Sequence, residues 1–208
     1  MNPETMWSNR YRDIGDQYLF GTEPSHFLAN RADLFKKGES AILLADGEGR
    51  NSVWLAEKGL DVTAIEISPV ALEKAKKLAA ARNVDIDFIQ SDMLFHNWNE
   101  ADYIGKFDWV IGVFIQFVGR EGMAQQFQIM KELTRPGGRI LLHGYTPEQL
   151  EYKTGGPSDI NNLYTGELLI EAFSGWRIKE LIEYEADICE GVGHNGHSAL
   201  IGIVAQKI

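Results

Sequence analysis

The 208-residue chain has very little cysteine, little proline and no excess of basic residues. Its one cysteine, Cys189, excludes an internal disulfide framework and any zinc or arsenic site built from several thiolates. With 20 Lys and Arg against 30 Asp and Glu, the net charge of −10 argues against general affinity for DNA or RNA, whose phosphates are held by cations. No apolar run reaches the roughly 18 to 20 residues that a membrane-spanning helix requires. The N-terminus MNPETMWSNRYRD has no basic-then-apolar signal layout, so a cytoplasmic location is expected, with no membrane partner. There is no repeat, low-complexity block or Ser/Pro-rich linker to divide the chain.

What is present is a soluble α/β pattern, 44% hydrophobic and 24% charged, too apolar for disorder. A single domain is expected. Three stretches are expected within it: residues 1–37 with a lead-in helix, 38–145 as the core of the α/β pattern, and 146–208 as a late loop with the C-terminal strands. The lead-in helix is placed over 25–37, from Ser25 behind Pro24, with Leu28, Ala32 and Phe35 on one face and an end at Gly38. Residues 41–45 form a short, wholly apolar run, as in a parallel strand buried on both faces. A helix over 51–58 ends at Gly59, and a β-branched strand follows over 61–66. Ser68-Pro69 starts a helix that runs to about Arg82.

Further strands are expected at 85–90, 107–114 and 139–144, with a helix over 121–133. Residues 146–164 are too long for a structureless connection and read as an active-site loop or short helix. After a helix near 165–173, two strand-like segments, 178–188 and 199–206, lie close in sequence across the Gly-rich stretch 190–196. The order implies a parallel sheet carrying an antiparallel end.

The sharpest motif is Leu43 to Asn51, LLADGEGRN, at the carboxyl end of a strand and the start of a helix. Gly47 and Gly49 would let the backbone approach a ligand, and a helix N-terminus favours negative charge there. Glu66 ends the next strand about 20 residues on, where an acidic side chain reaches a ribose diol. An adenosine-type cofactor follows. Ser52 stands where the dinucleotide fingerprint would need a glycine, which disfavours a nicotinamide cofactor. Asp92 and Met93, after the 85–90 strand, offer a carboxylate for an adenine amino group and an apolar side chain for its ring.

The succession LLADGEGRNSVWLAEKG, VTAIEIS, FIQSDM, FDWVIGVF and RPGGRILLHGY resembles class I S-adenosylmethionine (SAM)-dependent methyltransferases. The segment WSNRY…YLFGTEPSHFL is similar to the thiol and tellurite methyltransferase branch. The resemblance implies a Rossmann-like doubly wound sheet of seven strands, mostly parallel with an antiparallel last strand and helices on both faces. It also implies SAM as cofactor, yielding S-adenosylhomocysteine. Gly47 and Gly49 would pass under the methionine part, Glu66 would bind the ribose, and Ile67, Asp92 and Met93 would surround adenine. Val113 and Phe114 would lie beside the transferred methyl, and Trp7 and Tyr11 would fold over the cofactor. Two positions depart from the pattern: Leu43 replaces the usual acid and Ala45 the first glycine, leaving Asp46 as the nearby carboxylate.

The expected reaction is methyl transfer to a small-molecule acceptor, either a thiol or a chalcogen oxyanion such as tellurite. The alternative is a non-catalytic SAM-binding protein that acts through partner contacts; under either reading the chain is expected to be a monomer or homodimer. A thiol is partly ionised at neutral pH, whereas a hydroxyl or amine needs a base. His194, His197 and Tyr145 are the candidate catalytic groups, with Gln116, Tyr152 and Thr154 as further orienting candidates. The histidines can act as base or cation, or stand as turn residues without a role. No third ligand is spaced for a metal. Arg50 opposes the helix dipole and is expected to pair with an acid such as Glu23 or to touch substrate. Cys189 is expected to be packed.

Overall fold

The computed structural model describes residues 2–100 and 102–208. Seven strands, β1 (Ser40–Leu44), β2 (Asp61–Glu66), β3 (Asp87–Gln90), β4 (Phe107–Val113), β5 (Thr134–Tyr145), β6 (Arg177–Glu190) and β7 (His194–Gln206), form one sheet in the order β3-β2-β1-β4-β5-β7-β6. The β1–β2, β2–β3 and β4–β5 pairs are parallel, and β7 runs antiparallel to β5, with Leu142 opposite Ile203. This is the seven-stranded, mostly parallel Rossmann-like sheet with a reversed last strand that the resemblance implies, and its antiparallel end agrees with the order of elements read from the sequence.

Among the described residues seven α-helices accompany it: α1 (Pro3–Asp13), α2 (His26–Ala29), α3 (Arg50–Glu57), α4 (Pro69–Arg82), α5 (Gly119–Leu133), α6 (Gln149–Tyr152) and α7 (Gly166–Ala172). None of the described helices is long and apolar enough to cross a membrane.

The chain separates into two compact units, Met1–His96 with Glu190–Gly193, and Asn97–Cys189 with His194–Ile208. In the first, Ala41 to Leu44 of β1 are all buried, which explains the unbroken apolar run: a parallel strand covered on both faces has no polar side to show. Each such leucine or isoleucine removed from water contributes about 1.5–3 kcal/mol. α4 starts as its sequence predicts, with the Ser68 hydroxyl accepting from Ala71 N–H and Pro69 at the first turn. In the second unit, α5 buries Met123, Phe127 and Met130, one face at helical spacing.

Several expected elements are corrected. The helix predicted over 25–37 is only α2 followed by a 3-10 turn, Ala32–Leu34. Ser25 caps it as expected, but the Arg31 guanidinium donates to the Phe27 carbonyl at 2.8 Å and lies 3.4 Å over the Phe27 ring. That carbonyl is the acceptor the next α-helical bond would use. The N-terminal segment instead carries an unpredicted helix, α1, with Asn2 accepting from Glu4 N–H and Pro3 at its start. β6 and β7 extend further than 178–188 and 199–206, so the connecting loop shrinks to Gly191, Val192 and Gly193.

Candidate functional site

In the first unit, the strand-to-helix turn from Ala45 to Gly49 is shaped by positive φ angles at Ala45 (48°), Gly47 (67°) and Gly49 (90°). Ala45 is an alanine held in the left-handed region, which costs about 1–2 kcal/mol and explains why a glycine suits that position. The two glycines differ in purpose. A side chain on Gly49 would press to 2.8 Å from the Ala75 Cβ, so this glycine lets α3 approach α4. A side chain on Gly47 would meet the Tyr11 hydroxyl at 3.0 Å, so this one faces the N-terminal segment.

Glu66 is buried at the end of β2, and its two oxygens accept from Gly47 N–H at 2.9 Å and Ser68 N–H at 2.8 Å. Burial pushes its carboxyl up to about 7 despite these bonds, with Asp46 adding repulsion. Asp46 accepts from the Ser52 hydroxyl through Oδ2, while its buried Oδ1 has no hydrogen-bond partner among the described residues. Burial raises that carboxyl to about 6. A desolvated acceptor without a donor is costly unless a ligand supplies one. The acceptor set fits SAM: a carboxylate oxygen for an ammonium beside Gly47, and a second carboxylate at the strand end for hydroxyls.

The N-terminal segment is fastened over this turn. Tyr11 is buried, stacks on Trp7 at 6.0 Å and meets Phe20 edge-on at 6.4 Å. The Lys74 ammonium donates to the carbonyls of Tyr11 (2.8 Å) and Gln17 (2.7 Å) and pairs with Glu48 at 3.0 Å. Glu48 also accepts from Leu19 N–H at 2.7 Å, and the Ser8 and Ser68 hydroxyls share a 2.9 Å bond. Sequence reasoning missed Glu48 and Lys74. Glu48 sat inside the motif but looked like a spacer, and nothing local marks its partners. Asp92 caps its own turn by accepting from Leu94 N–H at 2.9 Å, and Met93 is buried.

Arg50 is buried and pairs with Glu190 at 2.7 Å, not with Glu23, which instead binds Arg82 at 2.8 Å. The Glu190 partner answers the dipole objection, because a carboxylate neutralises the cation at the helix start.

In the second unit, Phe114 follows β4 with φ 57°, a left-handed conformation that is unusual for an aromatic residue. Its ring lies 4.2 Å from that of His194, 4.7 Å from Tyr145 and 4.9 Å from His143. The buried His143, absent from the sequence-level candidates, bonds through Nε2 to the Tyr184 hydroxyl at 2.9 Å. Tyr145, Leu163, Ile188 and Leu200 form the apolar cluster against which Phe114, Leu150 and Tyr184 pack. Two of the three candidate catalytic residues, His194 and Tyr145, therefore meet at Phe114.

His197 lies elsewhere. It is exposed, with Nδ1 3.0 Å from Asp187 and Nε2 3.4 Å from Glu185, and those acids raise its pKa, Asp187 first. Tyr152 donates to Glu185 at 2.6 Å and packs on the His197 ring. The Thr154 hydroxyl donates to the His197 carbonyl. Gln116 is structural: its amide exchanges two bonds with the Tyr145 backbone, at 2.8 and 2.6 Å, like an added strand residue. Cys189 is exposed rather than packed, because it falls on the outward side of β6 between buried Ile188 and Glu190. Among the described residues no group of three His, Cys, Asp or Glu could hold a metal.

The family described as "Methyltransferase domain" matches residues 42–138, which include the glycine turn, Glu66, Asp92 and Phe114. A 62-residue stretch is 34% identical to the 23S rRNA (uracil(747)-C(5))-methyltransferase of Pyrococcus abyssi; it is 30% of this chain but spans only 15% of that protein. Among solved structures, one described for the conversion of a disulfide bond into a thioacetal group during echinomycin biosynthesis superposes with TM-score 0.79. It is 15% identical, over 98% of this chain and 92% of that one. TehB from Haemophilus influenzae gives 0.69 at 20% identity, over 88% and 62% of the two chains. Geranyl diphosphate C-methyltransferase from Streptomyces coelicolor A3(2), crystallised with S-adenosyl-L-homocysteine, gives 0.66 at 13% identity, over 99% and 96%. Residues 42–138 thus match a methyltransferase domain, and the chain has the fold seen in solved SAM-dependent methyltransferases.

Proposed function

We propose that the protein transfers the methyl group of SAM to a small, soft nucleophile, a thiol in preference to a chalcogen oxyanion. The observation that carries the cofactor assignment is the partnerless Asp46 Oδ1 beside Gly47, with the buried Glu66 carboxylate on the same turn. In this reading Asp46 takes the role of the acid that Leu43 lacks and receives the ammonium of the methionine part. Glu66 exchanges its backbone donors for ribose hydroxyls. Gly47 and Ala45 give the cofactor room along the turn, Gly49 sets the packing of α3, and Ile67, Asp92 and Met93 border adenine. Trp7 and Tyr11 close over it; Val113 and Phe114 keep the place beside the methyl only as what the sequence resemblance implies.

The preference for a thiol is supported by where the cations go. Arg50 is neutralised by Glu190, and His197 by Asp187 and Glu185, so neither is available to an anion. The rings of Tyr145, His143 and His194 lie against Phe114, which packs on the apolar cluster of Leu163, Ile188 and Leu200. An oxyanion entering such surroundings would lose its hydration without a fixed positive partner. A thiolate is far less strongly hydrated and needs only positioning for in-line attack on a sulfonium. His194 and Tyr145 orient the acceptor there, while His197 stays outside the chemistry.

The test is transfer of labelled methyl from SAM to a panel of neutral thiols, selenite, tellurite and RNA. Turnover confined to the thiols is expected. Turnover confined to the oxyanions or RNA would refute the acceptor class, and SAM binding without any turnover would favour the non-catalytic reading.

A further inference from the structure

The Glu190–Gly193 segment joining β6 and β7 is built into the first unit by contacts that neither fold nor cofactor chemistry demands. The Glu190 carboxylate is buried; one oxygen lies 2.7 Å from Arg50 Nη1 and the other accepts from His26 N–H at 2.9 Å. Gly193 N–H donates to the Leu19 carbonyl at 2.9 Å, while Leu19 N–H is held on its other side by Glu48 of the glycine turn. The fit is close enough to require glycine. A side chain on Gly191, whose φ is 72°, would run into the backbone of Leu19, Phe20 and Gly21, and one on Gly193 would enter the Phe20 ring. Phe20 in turn packs edge-on against Tyr11, the ring that faces Gly47.

A buried ion pair gains little net stability over apolar packing, and its retention is better explained by fixing one arrangement of the parts it joins. We propose that the Glu190–Gly193 tip is the latch of the N-terminal cover, with Arg50 and Glu190 as positioning residues that set how long bound SAM is retained. The tip holds Leu19 and Phe20 in place, and Phe20 holds Tyr11 against the turn. The Arg50–Glu190 pair anchors the tip to the first turn of α3, one residue beyond Gly49. The same segment leads directly into His194. This inference rests on the reading that the glycine turn binds SAM.

The experiment measures release of SAM from the full-length protein by stopped flow, for the native chain, Gly193→Ala and Glu190→Gln, beside each protein's melting temperature. Gly193→Ala displaces the tip from Phe20 and leaves the ion pair intact; Glu190→Gln removes the charge and leaves the glycines intact. Both are expected to release SAM about tenfold faster than the native protein, the usual place for an affinity loss to appear. The two rates should be similar even if the melting temperatures are not. A native protein that binds no SAM overturns the site reading and the latch with it. Native binding with unchanged release from folded Gly193→Ala overturns the latch alone.

Discussion

If Asp46 receives the cofactor's ammonium, SAM binding must be linked to a proton. Burial lifts the Asp46 carboxyl from 3.8 to about 6, so near pH 6 about half of the free protein holds a proton there. An ammonium on Oδ1 would return the group toward its ordinary range, since an adjacent opposite charge favours the ionised form. Binding at pH 6 should then release about half a proton from this site, and this site's share of the affinity should rise about tenfold between pH 5 and pH 7.5. Calorimetric titration of SAM in two buffers of different ionisation enthalpy gives the proton count directly. Glu66, lifted to about 7, adds a release of the same sign, so the diagnostic quantity is the difference between native protein and Asp46→Asn. The variant should lose the Asp46 share of the release and bind more weakly at pH 7.5. An Asp46→Asn protein with native proton release and a native pH profile would refute the assignment.

The raised Glu66 carboxyl also makes the cofactor-free protein less stable as pH rises. The folded state keeps a proton up to about pH 7 that the unfolded chain loses near 4.5, so stability falls across that window. Thermal melts should show this slope diminished in Glu66→Gln, and an undiminished slope would contradict it. Ala45→Gly should stabilise by about 1 kcal/mol by relieving the left-handed alanine, whereas Gly49→Ala should destabilise by about 1–3 kcal/mol through collision with Ala75; denaturant titration checks both. Cys189→Ser should change stability by less than about 0.5 kcal/mol and leave thiol methylation unchanged, because the side chain is exposed.

The parts legible in the sequence are those whose cause is local. β1 shows its burial as an unbroken apolar run, Ser68-Pro69 shows its cap, and Gly47 and Glu66 show their relation as a spacing across one β-α-β unit. The hidden parts depend on residues brought from afar. Arg50 looked anomalous because its counter-charge, Glu190, belongs to the far end of the chain. Gln116 looked like a substrate-orienting group, yet its amide completes the backbone bonding of Tyr145, a need that exists only once β5 has ended beside it. Gly49 looked like room for a ligand and is room for Ala75, since a glycine's spacing does not say what approaches it. The short loop at Gly191 was hidden because antiparallel pairing carries β6 and β7 through polar residues that, read alone, resemble a turn.

The central claim is that the turn from Ala45 to Gly49, with Glu66, holds SAM. Titration of SAM into the native protein and into Glu66→Ala tests it most directly. The account predicts one saturable site in the native protein and affinity at least about tenfold weaker in the variant, as expected when charge-assisted hydrogen bonds to a buried carboxylate are lost. No binding by the native protein, or equal binding by the two, would contradict it.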